Sequence, residues 1–503
     1  MTERPLDPPV PGPSHPGPGG PAGGPPLGST ESRFLSSTVA AWGSQLGRTA
    51  IRFLADVALA RLVLDEFHGL FDYAFAAVVI AGVLRDAGLP YQLVRDERQP
   101  YGTVLAWTGG VGLLLAAALA AGSPLFALLD PRLPAVVAAL APFVLLEGLA
   151  VVPRVYFERK LQVGRLVVPE LVRGASLAAV AVALATAGFG VWAFVAGELV
   201  SMAVYGALLW LRVRGRMPLR FDRRHLPAML RDSRFLFAIA LCAFTLPYLE
   251  RYIVGPFVTT AMLAQYGKAR LWGLRIQTIV VPAVQRVLYP TLVEVQGDEE
   301  RSFSVYRIGT VTILAFESLA AWFLFFNAET VLVDVLLGEQ WRPAVPLLRV
   351  ICFLPLVDPF NRLGGELLKV RREDRLWLVI VMLNFASLVG FGVWLSSRHG
   401  ALGLALANFL LLGNLLMAWR VARACGRRFP RLLADLAYVY LAPLAPFGVV
   451  VLLFPTEGWG RLAASLAAGL AGAALMALRF QRPFRRFFAG RPDGDGAAPG
   501  APA

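Results

Sequence analysis

The chain has 503 residues, of which 57% are hydrophobic and 16% charged, with a mean hydropathy of +0.60. That much apolar surface excludes an ordinary water-soluble enzyme and implies a polytopic membrane protein. A net charge of +14 would suggest nucleic acid in a soluble chain. Here the basic residues sit mostly in short loops between apolar runs, where they set membrane orientation, so no nucleic-acid partner is expected.

The first thirty residues contain ten Pro and seven Gly, and residues 1–33 read as a disordered tail with no cleavable signal peptide. Fourteen apolar runs follow, near 35–60, 70–92, 101–127, 133–153, 166–187, 189–211, 233–254, 264–289, 304–327, 343–368, 375–397, 399–420, 433–455 and 459–479. Each is about the length that spans a bilayer as a helix. This predicts an all-α polytopic membrane protein of about fourteen spans. Its parts are an N-lobe of six helices (34–211), a basic linker (212–232), a C-lobe of six (233–423) and a C-terminal pair (424–488). A second disordered tail (489–503) closes the chain.

Basic residues crowd the even-numbered connections, as at Arg212, Arg214, Arg216, Arg220, Arg223 and Arg224. The odd ones offer mainly Arg61, Arg132, Arg342, Arg398 and Arg461. By the positive-inside rule both termini are expected in the cytoplasm. Cys242, Cys352 and Cys425 make no disulfide or ligand spacing, and the four histidines are scattered. No P-loop occurs, and the glycines of "GFGVWAFVAG" lie in a spanning run without a preceding strand. No cofactor, metal or ATP hydrolysis is expected.

Two pairs of segments repeat. "ARLVLDEFHGLFDYAFA" (60–76) and "ERYIVGPFVTTAMLAQYGKA" (250–269) each give Arg, an aliphatic stretch, Phe six residues on, then Tyr. "GVWAFVAGELVSMAVYGALLW" from Gly190 likewise echoes "GALGLALANFLLLGNLLMAW" from Gly400. Similar offsets suggest parallel six-helix repeats, an arrangement that places substrate between halves in transporters.

These segments, with "LRDAGLPYQLV" (84–94), "VPAVQRVLYPTLVEVQGDEE" (281–300) and "LLGEQWRPAVPLLRVI" (336–351), give the chain its likeness to a family. It resembles the oligosaccharide and lipopolysaccharide flippases of the multidrug/oligosaccharidyl-lipid/polysaccharide (MOP) exporter superfamily, in order and spacing, over residues 34–480. Glu250 stands where such proteins often carry Asp. The resemblance implies a fourteen-helix flippase, a transporter and not an enzyme. It would move polyprenyl-diphosphate-linked oligosaccharide to the outer leaflet of the bacterial cytoplasmic (inner) membrane by alternating access. O-antigen, capsule or exopolysaccharide assembly would use it, with a polysaccharide polymerase and other assembly proteins as partners.

Charges inside the spans are the candidate site. In "LGRTAIRFLADVALARL" (46–62), Arg48, Arg52 and Asp56 recur every four residues behind Gln45, one stripe of a helix. A charge at the bilayer centre costs roughly 2.5–3.5 kcal/mol on insertion scales, so the stripe must face protein or water. Either Arg52 and Asp56 pair internally to fix packing, or the stripe walls a wet cationic cavity for an anionic headgroup, a task that suits the planar guanidinium. An interfacial or re-entrant helix 1 is a third reading. In helix 8, Lys268, Arg275 and Arg286 share a face, with Arg270 beside them; Lys268 and Arg270 are equally suited to snorkelling at the helix end. Arg85 and Asp86, ahead of "AGLP", mark an expected helix break lining the cavity.

Asp358, Arg362 and Glu366 step along helix 10 at four-residue intervals, a self-neutralising ladder more than a substrate site. Glu198 and Glu317 are isolated acids, either coupling sites or packing partners. Asn384, Asn408 and Asn414 read as helix-to-helix glue. The competing functions are a cation-coupled multidrug exporter, which a basic cavity opposes, and a lipid II flippase. A membrane polysaccharide polymerase or ligase is the enzymatic rival. It would need a long outer loop, and the longest here, near 327–342, is short.

Overall fold

The computed structural model describes residues 47–488 except 48, 96, 97, 161, 163, 223, 296, 358 and 372. Both tails and Arg48 therefore lie outside the described residues, as does Asp358. Among the described residues there are helices and turns and no strands, the fold class expected.

A first helix, α1, runs over 49–62. It is followed by α2 (Asp65–Asp86), α3 (Leu89–Arg95), α4 (Tyr101–Gly122), α5 (Leu133–Leu140), α6 (Pro142–Arg159), α7 (Gly164–Thr186) and α8 (Val191–Val213). The second set is α9 (Leu226–Val254), α10 (Thr260–Gly273), α11 (Arg275–Glu294), α12 (Glu299–Phe326), α13 (Val345–Ile351), α14 (Leu354–Val357), α15 (Pro359–Val370), α16 (Asp374–Ala407) and α17 (Leu412–Cys425). Last come α18 (Phe429–Leu441), α19 (Leu444–Leu453) and α20 (Trp459–Phe488). Among the described residues nine helices or helix runs are long and apolar enough to cross a membrane. One of them, Arg375–Leu453, covers three of the expected spans in a single run.

Several expected spans are built in pieces, for local reasons. The α2–α3 break falls at "AG", where Ala87 (φ 48°) and Gly88 (φ 74°) both take left-handed conformations. Thr259 caps α10 by accepting from the Met262 amide (3.2 Å), and Asp298 caps α12 by accepting from the Glu300 and Arg301 amides (both 3.0 Å). Helix 8 is interrupted at Leu274, so the single face expected for Lys268, Arg275 and Arg286 is divided between α10 and α11. The segment expected as an outer loop is instead folded, with a π-type turn over Thr330–Leu337 and a short helical turn over Glu339–Ala344.

Two large apolar clusters hold these elements together. One apolar cluster runs from α2, α4, α6 and α8 (Leu70, Val104, Val144, Met202) into α10 and α13 (Leu263, Leu348), so it crosses the boundary between lobes. A second holds α11, α12, α15 and α18 together around Leu288, Leu314, Leu363 and Leu436. The C-terminal pair is pinned to α12. Arg307 Nε donates to Asp435 Oδ2 (2.6 Å), Arg479 adds to the same carboxylate (3.4 Å), and Trp322 Nε1 donates to the Tyr440 carbonyl (2.8 Å). Asn414 Oδ1 accepts from Asn384 (3.0 Å) and Asn361 (3.2 Å), tying α17 to α16 and α15.

Candidate functional site

The lobes meet along a seam of small residues. An added Cβ at Gly69 of α2 would stand 1.9 Å from the Thr260 carbonyl oxygen, and one at Gly255 would stand 1.8 Å from the Tyr73 hydroxyl. Backbones this close leave no room for side chains, which is how packed membrane helices approach. Hydrogen bonds stitch the same end. Tyr252 donates to the Tyr73 carbonyl (2.7 Å), and Gln265 Nε2 donates both to Asp65 Oδ2 (2.9 Å) and to the Gln340 carbonyl (2.8 Å). Arg61 donates to the Leu336 and Val335 carbonyls (2.8 and 2.7 Å), and Trp341 Nε1 to the Ala60 carbonyl (2.9 Å). The 330–344 segment thus closes the α1–α2 end.

Away from that closure the seam is charged. Arg52 of α1 keeps 63% of its side chain exposed, and its Nη2 lies 4.0 Å from Glu198 Oε1 of α8. Arg173 of α7 approaches the other oxygen of the same carboxylate at 3.8 Å. Phe53, next to Arg52, packs edge-on to Trp272 of α10 (5.1 Å), and the Arg275 guanidinium lies 5.9 Å from the Phe53 ring. Phe53, and not Arg52, is the residue of this turn that meets the second half, while Arg52 is turned toward α7 and α8. One turn on, Asp56 and Asp72 of the N-lobe lie within electrostatic reach of Lys268 of α10. Asp72 also faces Arg251 of α9.

The candidate residues scatter over different roles. Arg275 lies over the Phe53 ring, whereas Arg52 lies beside Glu198. The internal pair of Arg52 with Asp56 is not formed; Arg52 pairs with Glu198 instead. Arg85 is a correction. It is 1% exposed and turned into the N-lobe, away from any opening. Its Nε donates to Asp86 Oδ1 (2.9 Å) and its Nη1 to the Val144 carbonyl (2.6 Å) and Glu147 Oε2 (3.2 Å). Gly112 and Gly148 make room for its stem. Asp86 is accordingly its ion-pair partner. Arg270 also turns inward, 3.1 Å from buried Glu250, which accepts in addition from Tyr266 (2.8 Å). The Arg286 side chain lies outside the described residues.

Helix 10 needs a second correction. Arg362 pairs across helices with Glu317 of α12 (3.8 Å), and Glu366 pairs with Lys369 (3.0 Å), while Asp358, the first step of the expected ladder, lies outside the described residues. Arg173 and Asp72 were not singled out from sequence. The partners described for them, Glu198 and Lys268, sit on other helices.

Nine helices or helix runs long and apolar enough to cross a membrane, among the described residues, define an all-α multi-pass membrane protein. Residues 58–346, more than half of the chain, match the model of a family described as polysaccharide biosynthesis protein, and the chain belongs to that family. The succinoglycan biosynthesis transport protein ExoT of Rhizobium meliloti is 24% identical over 316 residues, 61% of this chain and 63% of that protein. The match thus spans a little under two thirds of the relative's length. Among solved structures, the lipid II flippase MurJ in an inward closed conformation superposes with a TM-score of 0.72 at 13% identity, over 90% of this chain and 100% of that one. An inward-facing multidrug resistance MATE family transporter of the MOP superfamily gives 0.60 at 14%, over 76% and 99%. At these identities the likeness is one of fold.

Proposed function

We propose that the protein is a flippase. It would carry polyprenyl-diphosphate-linked oligosaccharide across the bacterial cytoplasmic membrane by alternating access, for surface polysaccharide assembly. Family membership and the printed role of the Rhizobium meliloti relative support the glycan-export setting. The observation that carries the reading is Arg52, an exposed guanidinium on α1 whose neighbour Phe53 packs on the second half under the Arg275 guanidinium. A diphosphate leaving water needs compensating positive charge, and charge counts for more in a confined, low-dielectric interior. Organic cations would meet repulsion there, which disfavours a multidrug exporter.

In this reading the polyprenyl tail stays in lipid between lobes 34–211 and 233–423, while diphosphate and sugars cross the wet seam. A polymerase and other assembly proteins would then receive the product. Lipid II carries the same diphosphate, and the sugars alone separate the two cargoes.

Arg52→Ala and Arg275→Ala should cut polysaccharide export while protein accumulates normally, and lysine should restore part of it, keeping charge but losing the fork. Export at the parent rate in both alanine variants would sink the proposal. Flipping assays in vesicles with a glycan-diphosphate lipid and with lipid II decide between the two cargoes.

A further inference from the structure

Glu198 stands between two arginines without hydrogen-bonding either. Arg52 Nη2 is 4.0 Å from its Oε1 and Arg173 Nη2 is 3.8 Å from its Oε2. The carboxylate is 8% exposed, whereas Arg173 is a third exposed and Arg52 far more. Its Oε2 is buried without a hydrogen-bond partner. The acid is thus buried and the two guanidinium groups are more exposed than it is, Arg173 also lying over the Tyr205 ring (5.5 Å). Three helices, α1, α7 and α8, supply one group each.

We propose that Arg52, Arg173 and Glu198 form a diphosphate site in which Glu198 is a proton-linked counter-charge. When the site is empty the carboxylate holds both arginines. When a diphosphate arrives, the guanidinium groups turn to its oxygens, which their planar forks match in pairs. Glu198 is then a buried carboxylate without cations, and such a group neutralises itself by binding a proton. The proton comes from water in the seam, adds to a Glu198 oxygen, and leaves when the anion does.

The other charges facing Glu198 favour this exchange. Beside Arg52 and Arg173 they are Asp56 of α1 and Glu147 of α6, both acids. Glu147 is itself engaged by Arg85. Neither acid supplies positive charge to Glu198 once the two arginines move. The proposal rests on the flippase reading and adds where the diphosphate is held and how its binding is tied to protons.

The test uses the full chain in phosphatidylcholine nanodiscs, with inorganic pyrophosphate as probe. Titration calorimetry in two buffers of different ionisation heat counts the protons exchanged on binding. Pyrophosphate has its own titration, so the readout is the difference between wild type and Glu198→Gln. Wild type should take up more protons than Glu198→Gln, by up to one per pyrophosphate. At alkaline pH Glu198→Gln should bind roughly tenfold tighter, and Arg173→Ala roughly tenfold weaker, with Arg173→Lys between Arg173→Ala and wild type.

Equal proton counts in wild type and Glu198→Gln would overturn the proposal, as would unchanged affinity in both Arg52→Ala and Arg173→Ala. In either case, pyrophosphate binding and export that depend on Arg275 would leave the flippase reading standing. No pyrophosphate binding together with parent-rate export in the arginine variants would remove both. Nanodiscs of phosphatidylglycerol separate the two sources of phosphate. Retained pyrophosphate binding supports the cargo, and loss of it assigns the site to a lipid headgroup and overturns the proposal.

Discussion

Gly190 and Gly400 adopt the same backbone conformation, φ 54° with ψ −125° and φ 55° with ψ −133°. Gly190 precedes α8 and Gly400 forms a kink inside α16, and each is pressed by the junction between the first two helices of its half. A Cβ at Gly190 would meet Phe67 at 3.1 Å, at the start of α2; one at Gly400 would meet Val258 at 3.2 Å, just before α10. Both lobes thus build the same turn against the same neighbour. Gly426 shares the angles but has nothing within 4 Å of its missing Cβ. Alanine at Gly426 should therefore cost only backbone strain, roughly 1–3 kcal/mol. Alanine at Gly190 or Gly400 should cost more, read as a larger fall in the melting temperature of purified protein. Equal falls at all three positions would show that the Phe67 and Val258 contacts are unimportant.

Arg85 fixes α2 to α6 through the Val144 carbonyl and Glu147. Removing Arg85 leaves the buried Val144 carbonyl without its donor and the part-exposed Asp86 and Glu147 without their cation, a cost of about 1–3 kcal/mol. Arg85→Ala should lose most folded protein on fluorescence-detected size exclusion, and Arg85→Lys should recover little, since an ammonium lacks the fork. Normal folding with weak export would instead return Arg85 to the transport path.

The α1–α2 end can seal only if the seam stays bare. Gly69→Leu places a side chain where the Thr260 carbonyl stands. The lobes should fail to close there, exposing position 265. With Cys242, Cys352 and Cys425 replaced, Gln265→Cys should react slowly with an impermeant thiol reagent in the parent and rapidly in the Gly69→Leu chain, with export lost. Unchanged labelling would show that the closure survives the bulk.

The charge pattern predicts reporter fusions after Arg216 and Arg428 in the cytoplasm and after Glu329 and Glu457 outside. Glu457 Oε2 accepts from the Glu329 amide (2.8 Å) and also from the Thr330 amide (3.3 Å), so the last two positions share one face of the molecule. Opposite reports from fusions at 329 and 457 would contradict the structure itself. A joint reversal with Arg216 would invert the orientation.

Hydropathy made the helical class legible, because a twenty-residue apolar run has few alternatives to a spanning helix. Local breakers announced some joints, as "AG" did at 87–88. Charge partners were another matter. Helical spacing relates residues on one helix, and it suggested Arg52 with Asp56 and Arg362 with its own neighbours. The pairs that form, Arg52 with Glu198, Arg85 with Glu147 and Arg362 with Glu317, join different helices. No periodicity within a single run encodes them. The stripe on α1 was visible because its residues share a surface; Arg173 was not, because only folding brings α7 alongside it.

The basic stretch between the lobes is bonded to the first lobe. The Arg220 carbonyl accepts from the Thr103 amide (3.3 Å), and the Asp222 amide donates to Thr103 Oγ1 (2.6 Å). Gly102 permits this, since a Cβ there would stand 2.8 Å from the Arg220 oxygen. Three residues remain before α9 begins at Leu226, a leash of roughly 10–15 Å at full stretch. So short a leash forbids the halves from sliding apart and leaves them only rotation about a pivot at that end. The far end, at α1–α2, sits on the long arm of the lever, where a small angular change sweeps the greatest distance.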